Sequence, residues 1–220
     1  MFSLTIFQKV FAYGIPILFA ITVHEVAHGW AANKLGDPTA RLLGRLTLNP
    51  IKHIDWVGTA IVPLLLFLTI GFIFGWAKPV PIDWRNLRSP KRDAALVASA
   101  GPLANLCMAL LWGSILKLGL IFYTTSELGI VAGIVIMAKI GIEINIVLLA
   151  LNLIPIPPLD GSRIVNSLLS PRLSLLYAYV EPFGIFIILL LITTHALDSI
   201  LYPIINSLSN LVIMLFGLSG

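Results

Sequence analysis

Six stretches of the chain are almost free of charge, roughly 4–32, 57–77, 93–117, 129–154, 175–197 and 199–217. Most reach the ~20 residues that an α-helix needs to cross the hydrocarbon core of a bilayer. No internal repeat, low-complexity linker or long polar loop interrupts them, so residues 1–220 read as a single integral membrane domain. The pattern predicts an all-α, multi-pass membrane protein with five or six transmembrane helices, its core over about 11–165 and additional helices over 175–217. Gly14 and Pro16 predict a kink in the first stretch, which transmembrane helices tolerate.

The second stretch is long enough to span, but it runs into Gly75-Trp76-Ala77-Lys78-Pro79-Val80-Pro81-Ile82, where prolines block helix and favour extended backbone. A short re-entrant or strand element is therefore expected around 75–82. The charges favour a stretch that enters and returns. Lys34, Arg41, Arg45 and Lys52 precede it, and Lys78, Arg85, Arg88, Lys91 and Arg92 follow it. A crossing would put these two basic segments on opposite faces, against the tendency of Lys and Arg to stay cytoplasmic. With five spans the amino terminus lies outside. Eleven of the 14 basic residues, including Arg163 and Arg172, then face the cytoplasm.

Composition agrees with a lipid environment. Of the 220 residues 58% are apolar and 11% charged, against about 25% charged in a soluble domain. The net charge of +4 follows the loops and is no sign of nucleic-acid binding. The single cysteine, Cys107, excludes an intramolecular disulfide and cysteine-rich zinc sites, and is expected to be a small buried hydrophobe. The first stretch carries His24, Glu25 and His28 and lacks a small-residue cleavage site after a short apolar core. It is not expected to be a removable signal peptide.

Those three residues hold the chemistry. Histidines four apart lie about 40° apart around a helix, so both imidazoles of His24-Glu25-Val26-Ala27-His28 face one way. They can share one zinc ion, with Glu25 beside the water to be activated. Ionisable groups inside an apolar helix cost about 2.5–3.5 kcal/mol each near the bilayer centre, and a metal offsets that cost. A hydrolytic zinc site needs a third ligand. Asp160 is the best placed candidate, because three prolines in Pro155-Ile156-Pro157-Pro158 end the fourth apolar stretch just before it. Such a break is tolerated at membrane depth only around a cavity lined by protein or water.

His24-Glu25-x-x-His28, Gly101-Pro102-Leu103-Ala104-Asn105 and Asn152-x-x-Pro155-x-Pro157-x-Leu159-Asp160-Gly161 together resemble the site-2 protease family of intramembrane zinc metalloproteases. The resemblance covers roughly residues 20–165 and is closest to the short prokaryotic branch that lacks a PDZ domain. It implies a Zn²⁺ cofactor held by His24, His28 and Asp160, with Glu25 as general base. It implies substrates that are transmembrane segments of other proteins, often pre-cleaved by another protease. The expected location is the prokaryotic cytoplasmic membrane, with the active site toward the cytoplasm.

Asn105 and Asn152 are open to two readings, contact with substrate backbone or the oxyanion, and hydrogen bonding between helices. Asn145 fits the second. Lys139 and Glu143, four apart, suit an ion pair or a lysine reaching for the membrane surface. His53 and His195 are expected at the interface, as are Trp30, Trp56 and Trp84. Two other functions fit a metal site in a membrane: a zinc carrier or metal-dependent sensor, and a non-proteolytic binder of transmembrane segments. A carrier would show donors along several helices and often repeated halves. A pure binder would not need Glu25.

Overall fold

The computed structural model describes residues 5–70, 75–123 and 129–218. Its regular elements are all helical, with no strand among the described residues. Helix α1 runs over Ile6–Leu35 and opens with a capping box: Thr5 accepts from the Gln8 amide, and the Gln8 side chain accepts from the Thr5 amide. Pro16 is accommodated inside it, and Gly36 closes it in the left-handed conformation. The remaining helices are α2 (Thr39–Leu42), α3 (Val62–Ile70), α4 (Pro90–Tyr123), α5 (Gly129–Asn152), α6 (Asp160–Leu168), α7 (Pro171–Ala178), α8 (Gly184–Thr193) and α9 (Asp198–Leu215).

Five segments are long and apolar enough to cross a membrane: Gln8–Leu35, Pro90–Tyr123, Ile130–Asn152, Pro171–Thr193 and Asp198–Leu215. The second apolar stretch is not among them. It begins as a π-helical turn over Trp56–Ile61, where Asp55 caps the Val57 and Gly58 amides, and continues as α3. Its far end comes back to its start. The Trp76 amide donates to the Gly58 carbonyl (3.0 Å), and the Lys78 amide to the His53 carbonyl (2.9 Å). Both ends therefore lie at one place, as in a segment that enters and returns; residues 71–74 lie outside the described residues. The possible strand at 75–82 is not realised. This segment is irregular, and two of its eight residues are prolines, which have no amide hydrogen to contribute to a ladder.

The core is formed where α1, α4 and α5 pack on one another, with α6 against α4 and α9 against α5. Trp112, Leu116, Ile142, Ile146 and Val212 fill the junction of α4, α5 and α9. At the other end, buried Asp37 ties the exit of α1 to the approach to α4. It accepts from the Asp83 amide (2.9 Å), the Asn86 side chain (3.0 Å) and the Thr39 amide and hydroxyl.

Two side chains, Cys107 and His53, depart from expectation. Cys107 is exposed on α4 and so is not a buried hydrophobe. His53 is buried, its Nε2–H donating to the Thr47 carbonyl (2.9 Å), and its own carbonyl accepts from the Lys78 amide of the returning segment. Lys139 and Glu143 are both exposed on α5, and no ion pair joins them among the described residues. His195 is exposed and pairs with Asp198.

Candidate metal centre

His24 and His28 lie one turn apart on α1 and are buried, and their outer ring nitrogens are fixed by α4. His28 Nδ1 is 2.7 Å from the Val97 carbonyl, which can only accept, so this nitrogen carries the hydrogen. His24 Nδ1 is 2.6 Å from Asn105 Oδ1. The orientation of that amide is set independently: its Nδ2 donates to the Ala20 carbonyl (3.3 Å) and to Asn145 Oδ1 (3.0 Å). His24 therefore also donates from Nδ1. Each neutral imidazole then presents a bare lone pair at Nε2.

The two Nε2 atoms are 3.0 Å apart, and each is 3.2 Å from Asp160 Oδ2. Burial pushes the Asp160 carboxyl up, but hydrogen bonds and charge from His24 and His28 in their protonated form outweigh burial and hold it down to about 2, so it is ionised at neutral pH. With both imidazoles neutral, its buried Oδ2 has no hydrogen-bond donor. With the carboxylate also ionised, three electron pairs converge with no proton between them, an arrangement stabilised by a bound cation or by a proton on one Nε2. The separations suit zinc, since tetrahedral ligands about 2.0–2.1 Å from it lie roughly 3.4 Å from one another. Among the described residues these three make up the one group of metal-donor side chains.

Room for the imidazoles comes from Gly101 of α4. A Cβ there would fall on His28 Nε2 and within 2.5 Å of His24 Cε1. The role of Gly101 as the seat of both rings was not read from the sequence. A glycine in mid-helix, where it costs about 1 kcal/mol against alanine, was the available signal. The His28–Val97 bond had no signal at all, because any residue offers a carbonyl.

The other expected site residues are placed as follows. Glu25 follows His24 on α1, and its Oε2 accepts from the Val80 amide (2.8 Å), so the returning segment lies beside it. Asn105 is fully buried, with its amide committed to His24, Ala20 and Asn145. Asn145 thus bonds between helices as expected, and its own Nδ2 donates to the Gly141 carbonyl. Asn152 Nδ2 donates to the Leu148 carbonyl of its own helix (3.0 Å) and not to His24, His28 or Asp160.

Comparison with known proteins gives the context. The chain is 37% identical over 203 residues to the Bacillus subtilis (strain 168) protein named "Putative zinc metalloprotease YwhC", covering 92% of this chain and 90% of that one. A Mycolicibacterium smegmatis protein named Rip2, with the same description, is 30% identical over 82% of this chain and 66% of its own length. Rip2 of Mycobacterium tuberculosis (strain H37Rv) is 27% identical over 92% of this chain and 72% of its own. No protein-family model matches, and no solved structure does. With over a third of its residues shared across nearly the full length of both proteins, the chain belongs to the zinc metalloprotease family of YwhC.

Proposed function

We propose that this protein is an intramembrane zinc endopeptidase of the site-2 protease type, which hydrolyses peptide bonds in or beside transmembrane segments of other proteins. The observation that carries the reading is the convergence of two Nε2 lone pairs and one buried carboxylate oxygen within 3.2 Å, on elements packed among membrane-length helices. His24, His28 and Asp160 are the ligands in this reading. When bound, zinc supplies Lewis acidity toward a scissile carbonyl and toward a hydrolytic water.

Glu25 takes the proton of that water and returns it to the leaving amine. Asn105 acts on the reaction through His24, holding its ring in one tautomer, as the outer partners of metal-bound histidines do. A substrate helix has to unwind before its carbonyls are accessible, and unpaired backbone is costly in lipid. In the irregular segment at 75–82 the Trp76, Lys78 and Val80 amides are already bonded, which leaves the Ala77 and Ile82 amides and the remaining carbonyls for an extended substrate to pair with. Its Val80 amide already lies on Glu25, which supports that location for the cut. The basic loops support a cytoplasmic site in the cell membrane. Substrates already shortened by another protease suit a site of this kind.

The test is Glu25→Gln in purified, zinc-loaded protein with a single-pass membrane substrate. Cleavage is expected to stop while zinc stays bound. Unchanged cleavage would remove Glu25 from its role, and a chain that only carries zinc or binds helices would cleave in neither form.

A further inference from the structure

A cavity of about 240 Å³ lies where the first turn of α4, the helix α6 and α7 meet. Lys91, Arg163, Asn166 and Ser174 line it together with Trp84, and no acidic residue does. The Arg163 guanidinium sits over the Trp84 ring, 4.5 Å from its centroid. Such a stack holds the planar group by its face and leaves its in-plane N–H donors to find acceptors elsewhere. No carboxylate lies within ion-pair distance of Arg163 or Lys91 among the described residues.

Lys91 and Asn166 add further donors, whereas the Ser167 and Ser174 hydroxyls have given their hydrogens to Ile164 and Asn166. Lys91 Nζ gives one hydrogen to the Leu169 carbonyl (2.7 Å), which pins it at the rim with two to spare. Ser174 Oγ donates to Asn166 Oδ1 (2.6 Å), so the acceptor of that amide is used and its NH₂ is free. Pro90, the first residue of the 34-residue α4, also borders the cavity, but the positive end of that helix is already met by Asp93 in the same turn, which accepts from the Ser89 amide (2.8 Å). Two cations and an amide donor converge from two helices, in a volume larger than a lone carboxylate fills. That is a match for a tetrahedral oxyanion with several oxygens.

We propose that this cavity binds a phosphate group, supplied by the headgroup of an anionic phospholipid or by a soluble phosphate. Leu168 and Leu173, next in sequence to the lining residues Ser167 and Ser174, are exposed, as is Leu176 on α7, apolar surface suited to acyl chains. A bound phosphate would join the start of α4 to α6, whose first residue is Asp160.

The full chain in phosphatidylcholine vesicles, with and without phosphatidylglycerol, provides the test, read by native mass spectrometry of retained lipid. Inorganic phosphate is titrated separately, with the unfolding midpoint as its readout. Wild type should retain phosphatidylglycerol, and Lys91→Gln/Arg163→Gln should lose it by about tenfold or more. Ala94→Leu, which fills the cavity without changing charge, should lose it as well. Arg41→Gln/Lys52→Gln, with the same charge change away from the cavity, should not. Zinc retained by each variant shows that it has folded. Protection of wild type by inorganic phosphate alone, absent in the cavity variants, would assign the site to a soluble phosphate. Equal lipid loss in the cavity and control pairs, or no response to either probe, would overturn the proposal.

Discussion

The imidazole and carboxylate sides of the candidate metal centre are held in different ways. His24 and His28 stand on a 30-residue helix, and each ring is oriented by a hydrogen bond from α4, extended through Asn105 to Asn145 on α5. Asp160 stands on the first residue of a nine-residue helix, after a proline-rich break. No hydrogen bond orients its Oδ2. That side is positioned by backbone fit: the Tyr177 hydroxyl donates to the Pro155 carbonyl (2.5 Å), and Gly184, where α8 starts, lies against the Pro157 carbonyl. The late helices, which supply no residue to the candidate site, thus position its carboxylate. Polar bonding inside the core sets one half of the site and steric fit at its edge sets the other.

This contrast can be broken from either side, with zinc affinity as the common scale. Gly101→Ala should have the largest effect, because its Cβ occupies the space of both rings. Bound zinc should fall to near zero by metal analysis while the far-ultraviolet circular dichroism stays helical. Asn105→Ala frees His24 to rotate and change tautomer, and zinc affinity measured against a competing chelator should drop about 10- to 100-fold. Equal affinity would show that the His24–Asn105 bond does not orient the ligand.

On the carboxylate side, Gly184→Ala presses a methyl group on the Pro157 carbonyl. Overpacking of this kind costs about 1–3 kcal/mol, part of which the break absorbs by shifting, so zinc affinity should fall about tenfold or less. A loss as complete as that of Gly101→Ala would mean that fit, and not hydrogen bonding, governs both halves.

Asp37 gives the smallest expected effect on zinc and a clear one on acid stability. Burial pushes its carboxyl up, but the bonds from Asn86, Thr39 and the Asp83 amide outweigh that and lower it. A carboxylate depressed in the folded state contributes stability above its unfolded value, near 3.9. That contribution is lost as pH falls through the lower folded value. Unfolding of wild type should therefore become easier below about pH 4, an acid-induced loss that Asp37→Asn lacks. Zinc affinity at neutral pH should be the same in both.

Much of this was legible along the chain. Five apolar stretches became membrane-length helices, because length and hydropathy suffice for that assignment. The two histidines share a face because helical period demands it. The prolines before Asp160 end α5 at Asn152, as the missing amides require. His53 and Cys107 went the other way, because burial depends on which segments come together around a residue and which face of α4 meets α5. Neither has a local signature. Gly161 of the aspartate motif lies inside α6, where a Cβ would meet the Leu153 backbone. Its small size was the requirement, not its backbone freedom.

The order of residues alone determined that this is a helical membrane chain, which residue types can hold a metal, and where helix has to stop. These follow from local physics: hydrogen bonding within a helix, transfer of side chains to lipid, and the geometry of proline. Only the packed structure decided that Asp160 reaches His24 and His28, that Asn105 and Val97 set their tautomers, and that Gly101 and Gly184 make the space. Those contacts join residues tens to more than a hundred positions apart, and their energies depend on distances that no short window of sequence contains.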